Sequence, residues 1–440
     1  MSTNKSRVVS TRGKDSANLD EAILLGLARD GGLFVPVAFP ILTIADFYAY
    51  KELSEFAQHL IAPFFAGSSL IIDKSFCEQV FNFPLHLKAL SETHHVLELF
   101  HGPTLSFKDF GARFFAQCLE QLNKGKVTKV LVATSGDTGS AVASALSGKQ
   151  GIEGFILFPQ GKISQRQEAQ ITCWESNIHA LAVHGTFDHC QALVKQAFAE
   201  NLTDGWELTT ANSINIARLL PQVLFYAYSS IQLTREGQGK INFIVPSGNL
   251  GNVTACYWAK ALGFPIGQIL IATNENSVLS HFLESGHYQP QASIKTLANA
   301  MDVGDPSNLE RLLNLFPDFA EFKKQLDVLS VSDEKIKIAI TNCYKENKYL
   351  ICPHTATAYS RLQNIKDDQI WVIVATAHPA KFEEVIEPLL EIEIPIPNQL
   401  ADLLKREKHS EVIDPEFSEL KKHLTKRKTR IPLSLHPGYM

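Results

Sequence analysis

The sequence predicts an α/β protein with two parallel-sheet domains behind a helical N-terminal region. From residue 96 onward, short apolar segments alternate with helical patterns. Such near-continuous apolar strands separated by helices belong to parallel sheets covered on both faces. The strand candidates are too many for one small sheet, which calls for two domains. Residues 1–95 instead show helical spacing interrupted by prolines. The expected division is therefore 1–95 for a mainly helical N-terminal region, 96–230 for a smaller α/β domain, and 231–440 for a larger α/β domain with a C-terminal tail.

In order along the chain, residues 19–28 have helical spacing, Asp30-Gly31-Gly32 makes a turn, and residues 42–66 read as one or two further helices. Strands are expected at 130–133, 154–158, 179–183, 241–245, 268–272 and 371–375. Helices follow at 140–146, around 190–199 and at 253–262. Residues 406–440 are charged and contain prolines, which suggests a peripheral tail. No repeat of fixed period and no low-complexity tract is present.

Composition narrows the function. Of 440 residues, 45% are hydrophobic and 20% charged, so sizeable cores can form. The net charge of -5, from 41 basic and 46 acidic residues, gives no support to a nucleic-acid or anionic-membrane surface. The seven cysteines show no Cys-x-x-Cys pair and no zinc-like Cys/His spacing, so no metal is expected and the thiols read as reduced. The polar opening residues 1–14 lack a secretory core, and no apolar run reaches the ~18 residues of a membrane span. A cytoplasmic protein is expected.

Three polar loops follow strand ends, after Thr134, Val245 and Ala375, where open α/β sheets bind ligands. In Val245-Pro246-Ser247-Gly248-Asn249-Leu250-Gly251-Asn252, glycines bare the amides of a helix N-terminus, a natural phosphate cradle. No Lys-Ser/Thr follows, so it is not a Walker A loop. A tight strand-to-helix turn without ligand fits the same residues. Ser135-Gly136-Asp137-Thr138-Gly139 repeats the plan and suits a second anion or a plain capping turn.

Lys108 sits between Phe107 and Phe110. Desolvation among aromatics frees an amine for carbonyl chemistry, whereas a surface lysine lays its stem along such rings equally well. Asn212-Ser213-Ile214-Asn215-Ile216-Ala217-Arg218 brings hydroxyl and amide donors near an arginine, the bidentate partner of phosphate. A capped helix with a solvated arginine is the plainer alternative. Thr376 ends a strand, where it can face a ring nitrogen or cap a helix; His101 and His378 read as structural.

Taken together and in order, these segments resemble the threonine synthase family of fold-type II pyridoxal-phosphate enzymes. Ser10-Thr11-Arg12-Gly13 and Asp30-Gly31-Gly32-Leu33-Phe34-Val35-Pro36 are similar to that family's N-terminal signature. The resemblance implies the tryptophan synthase beta-like fold, with pyridoxal 5'-phosphate held in the larger domain and substrate in the smaller. It implies Lys108 as the Schiff-base lysine and proton carrier. Gly248, Asn249, Leu250, Gly251 and Asn252 would hold the cofactor phosphate, and Thr376 would face the pyridine nitrogen. A neutral hydroxyl there favours elimination over transamination. Ser135, Asp137 and Thr138 would grip the substrate, and Asn212, Ser213 and Arg218 its phosphate. Many fold-type II relatives carry Asn at the position of Asp137, which leaves the role of that carboxylate open. The implied partner is a small molecule, O-phospho-L-homoserine, converted with water to L-threonine and phosphate. The rivals are a fold-type II dehydratase or phospholyase giving a 2-keto acid, and a non-catalytic phosphometabolite-binding protein.

Overall fold

The computed structural model describes residues 7–123, 125–200, 205–235 and 239–425. Two sheets dominate it. The larger has six strands in the spatial order Asp327–Ser330, Ile266–Thr273, Ile241–Pro246, Trp371–Ala375, His94–Glu98 and His86–Ala89. All pair in parallel except the last, which is antiparallel to its neighbour. Every residue of Ile241–Pro246 and Trp371–Ala375 is buried, which explains why those strands read as unbroken apolar runs.

The smaller sheet has five parallel strands: Glu411–Ile413, Ile178–Val183, Ile152–Pro159, Val127–Ala133 and Trp206–Thr210. In each sheet one interior strand, Ile241–Pro246 or Val127–Ala133, sends its helix crossover to one side, while a later strand arrives on the other. That arrangement opens a crevice at the strand's carboxyl end, where α/β sheets place ligands. The crossover helices start on local signals: Ser164 caps Gln165–Thr172, and Thr186 caps Phe187–Ala199, each with a reciprocal bond from the third helical residue.

The N-terminal region is mainly helical, with Leu19–Leu25, Leu53–Ile61 and Lys74–Val80, and adds a three-stranded antiparallel sheet of Arg7–Ser10, Ser16–Asn18 and Phe34–Pro36. Strands of three or four residues are too short to register as a period-two pattern. One expectation is corrected: the charged tail, as far as residue 425, is not peripheral. Glu411–Ile413 is an edge strand of the smaller sheet, and Leu420 and Leu424 are fully buried in that sheet's core. Two segments also cross the expected division, since His94–Glu98 belongs to the larger sheet and Glu411–Ile413 to the smaller.

Candidate active site

The crevices of the two sheets meet in one cavity of about 130 Å³. Its lining includes Lys108, Ser135, Asp137, Thr138, Asn212, Ser213, Arg218, Thr376 and the run Gly248, Asn249, Leu250, Gly251 and Asn252. All the residues singled out from the sequence are thus brought together. A larger cavity, about 530 Å³, lies under the N-terminal sheet, but Arg7 is its one ionisable lining residue, so chemistry points to the smaller space.

Lys108 opens the helix Lys108–Leu122. The preceding loop folds onto Asp109, whose carboxylate accepts from the Thr104 amide at 2.9 Å and the Thr104 hydroxyl at 2.7 Å. A side chain at position 102 would meet that carboxylate at 2.5 Å, which is why glycine stands there. Phe107 N–H then donates to Thr376 O at 2.9 Å, and Ser106 bridges Ala377, so backbone pairing sets Lys108 beside Thr376. The Lys108 amine lies 4.7 Å from the Phe107 ring centroid. Burial, with help from Lys381 and Arg218, pushes its pKa down to about 8 against the opposing pull of Asp137. A fair fraction of such an amine is neutral, and so nucleophilic, near physiological pH.

The loop after Pro246 presents a helix N-terminus. Leu250 adopts a left-handed conformation, φ 59°, and the helix Gly251–Ala261 begins next to it. A Cβ at Gly248 would come within 2.6 Å of Met301 backbone, so the chain passes there only as glycine. The Asn252 amide donates to Pro246 O at 3.1 Å and its oxygen accepts from Tyr226 at 2.7 Å, fixing the turn. The Ser247 hydroxyl is buried without a partner among the described residues. Orphaned amides and a spare hydroxyl in an uncharged cradle fit a phosphate.

The loop after Ala133 carries charge. Thr134 Oγ1 accepts from the amides of Gly136 and Gly139 at 3.0 and 2.8 Å, leaving those of Asp137 and Thr138 without an intrahelical acceptor at the start of Asp137–Leu146. Asp137 is buried and paired with fully buried Lys381 at 2.7 Å, and Gln167 donates to the same oxygen at 3.2 Å. Burial alone would raise this carboxyl's pKa, but Lys381, Lys108 and His354 outweigh it and hold it below the usual carboxylate range. Lys381 also donates to Thr104 O at 2.9 Å, joining the two sheets' loops to the Lys108 loop.

Arg218 is buried, and Ala211 O accepts from one guanidinium nitrogen while Nε has no partner among the described residues. Burial lowers its pKa to about 10, so it stays charged. Asn212 is held by two bonds to the Ala133 backbone. The Ser213 hydroxyl accepts from Asn249 at 2.6 Å.

Sequence reasoning missed Lys381, Gln167 and His354. Lys381 follows Thr376 by five residues and carries no local mark of a role. His354 Nε2 accepts from Ala300 N–H at 3.0 Å, and burial pushes its pKa down to about 4, so it is neutral with its proton on Nδ1. His101 and His378 are not among the cavity lining; His101 pairs with Glu98 at 2.7 Å and His378 caps the turn Pro379–Lys381. All seven cysteines are buried and free. Among the described residues, Glu175, Glu407 and His409 are close enough to share an ion, and none lines the cavity. No helix among them is long and apolar enough to cross a membrane.

An amine of depressed pKa beside an uncharged phosphate cradle, at the meeting edge of two parallel sheets, defines a fold-type II pyridoxal-phosphate enzyme. Residues 79–377 match the family model for pyridoxal-phosphate dependent enzymes. Residues 7–78 match that for the threonine synthase N terminus, and 355–424 that for the threonine synthase C-terminal region. The chain is 40% identical to threonine synthase of Serratia marcescens, over 93% of this chain and 96% of that protein. The solved threonine synthase of Escherichia coli superposes with a TM-score of 0.89 at 35% identity, covering 95% of this chain and 99% of the other. The pyridoxal-phosphate-bound threonine synthase of Brucella melitensis gives 0.87 at 33% identity, covering 95% and 98%. This chain belongs to the threonine synthase family. It is a pyridoxal-phosphate-dependent lyase of threonine biosynthesis.

Proposed function

We propose that this enzyme takes O-phospho-L-homoserine and water to L-threonine and inorganic phosphate, with the roles divided as follows. Lys108 would tether the cofactor, and its amine would take the substrate's α-proton. The loop 247–252 holds the cofactor phosphate through its amides and the Ser247 hydroxyl, and Thr376 faces the ring nitrogen. Pyridoxal phosphate, when bound, supplies an electron sink for the carbon acid. A proton leaves the β-carbon, the γ-carbon–oxygen bond breaks, and phosphate departs with the electron pair. The γ-carbon takes up a proton in place of the phosphate, water adds its hydroxyl at the β-carbon and gives its other proton to the released phosphate, and Lys108 returns a proton to the α-carbon.

Arg218 and Ser213 stabilise the leaving phosphate, while Ser135, Thr138 and the free amides of their loop hold the substrate carboxylate. The carrying observation is that Arg218, a buried cation with an unpartnered Nε and no carboxylate paired to it among the described residues, lines the same cavity as Lys108. An enzyme that only eliminates from an unphosphorylated amino acid has no use for an anion site beyond those for the cofactor phosphate and the substrate carboxylate. Product analysis with O-phosphohomoserine tests the reading. Threonine and phosphate in equal amounts support it, and 2-ketobutyrate without threonine rejects it in favour of a phospholyase.

A further inference from the structure

The N-terminal signature has no part in the chemistry above, yet it is tied to the anion site through one side chain. Arg311, in the helix Leu309–Leu315, is fully buried and has no carboxylate partner among the described residues. A guanidinium has five N–H donors, and here each is used. Nε and Nη2 donate to Phe34 O at 3.2 and 3.1 Å, and Nη2 donates again to Ile214 O at 2.7 Å. Nη1 donates to Ser213 O at 3.1 Å and Asn308 Oδ1 at 2.7 Å. Next to it, Glu310 accepts from Thr11 at 2.7 Å and pairs with Arg12 at 2.8 Å. The turn at residues 10–13 is thereby bolted to the helix Leu309–Leu315.

Asn308, oriented by Arg311, points its amide at Asn249 O, 3.0 Å, and at Ser213 Oγ, 3.4 Å. Asn249 donates to the same Ser213 oxygen at 2.6 Å. A hydroxyl oxygen has two acceptor sites and one hydrogen. With both acceptor sites taken by amides, the Ser213 hydrogen has no role left except to donate, and no protein acceptor takes it among the described residues.

We propose that Arg311 is a positioning residue of the substrate anion site, acting through Asn308 and the backbone of residues 213–214 to keep the Ser213 hydroxyl a donor to the phosphoryl group. This rests on the reading of residues 212–218 as the place of the substrate phosphate. It also explains the choice of arginine: a lysine has three donors on a point charge and cannot span four acceptors in three segments.

Inorganic phosphate, titrated calorimetrically into the holoenzyme, is the probe. Ser213→Ala is expected to weaken phosphate binding about ten- to a hundredfold, the worth of one hydrogen bond to a charged group. Arg311→Lys is expected to weaken it about as much. The double variant is expected to be no more than about twofold weaker than the worse single variant, because both changes remove the same donor. Multiplied losses in the double variant, or an Arg311→Lys enzyme with a lowered melting temperature but unchanged phosphate affinity, would make Arg311 a purely structural brace and overturn the proposal alone. Unchanged phosphate affinity in Ser213→Ala would instead show that the anion does not sit at Ser213, overturning the underlying reading as well. Should Arg311→Lys fail to fold, Asn308→Ala takes its place in the same cycle, with the same outcomes.

Discussion

Two loops of this molecule share a plan: a buried parallel strand, a glycine-bearing turn and a helix N-terminus. After Pro246 the turn is uncharged, and its contacts are amides, hydroxyls and the Met301 backbone. After Ala133 the turn starts its helix with Asp137, locked to Lys381 from the other sheet. The first loop suits a permanent dianion, because fixed N–H dipoles take phosphate without a counter-charge to rearrange. The second is a charged junction whose pieces come from both sheets and the Lys108 loop. Local motif sets where an anion can dock, and the partners supplied from elsewhere decide what chemistry goes on there.

The harshest test of this contrast is at Lys108, which shares a cavity with both loops. Lys108→Ala is expected to lower turnover by at least about a thousandfold, the scale for loss of a nucleophile that also moves protons. The cradle after Pro246 needs nothing from Lys108, so the variant should still bind pyridoxal phosphate noncovalently, without a borohydride-fixed adduct. Complete loss of cofactor binding would mean that the uncharged loop is not a site in its own right.

Next in size is the buried pair. Removing one partner of such a pair costs about 3–5 kcal/mol, since the remaining charge is stranded. Lys381→Met should lose that much in denaturant unfolding. The same variant sharpens the electrostatics. Lys108 in cofactor-free protein should react with an amine reagent with a midpoint near pH 8, rather than the ordinary 10.5. Lys381 pushes that midpoint down and Asp137 pulls it up. Lys381→Met must therefore raise it and Asp137→Asn lower it further. No movement in either variant would show that burial alone sets the value.

How much of this was legible in the sequence follows the same line. The strands 241–246 and 371–375 were readable because full burial writes itself as a continuous apolar run. The loops were readable because strand ends and helix starts leave local marks. Lys381 was not, because its meaning is Asp137, which reaches it from the other sheet. Arg311 drew no reading at all, since nothing nearby in sequence reveals that Phe34 and Ile214 carbonyls converge on it. The N-terminal strands fell below the length at which alternation shows. The tail's charge hid Leu420 and Leu424, two leucines that suffice to dock one helix.

Glycine substitutions should separate the loops more finely. An alanine at Gly248 meets Met301 Cα at 2.6 Å, a backbone atom that cannot step aside. Gly248→Ala should thus weaken cofactor binding about tenfold or more, read by absorbance titration. At Gly136 the clash is with the Gln167 side chain at 2.5 Å, and the strain is a φ of +140°. Gly136→Ala should cost about 1–3 kcal/mol of stability and lower kcat/KM, with cofactor affinity little changed. A reversed pattern would exchange the assignments of the two loops.

Ser247→Ala gives the smallest effect. The Ser247 hydroxyl is buried with no partner among the described residues, so the cofactor-free fold carries its desolvation without a compensating bond. Deleting it should leave cofactor-free stability unchanged or raise it by up to about 1 kcal/mol. The same deletion should weaken cofactor binding about three- to tenfold, because a phosphate oxygen would have completed the bond. Opposite signs in the two measurements are the mark of a group kept for a ligand rather than for the fold. A loss of cofactor-free stability with no change in affinity would make Ser247 an ordinary turn residue, and would leave the cradle resting on its backbone amides alone.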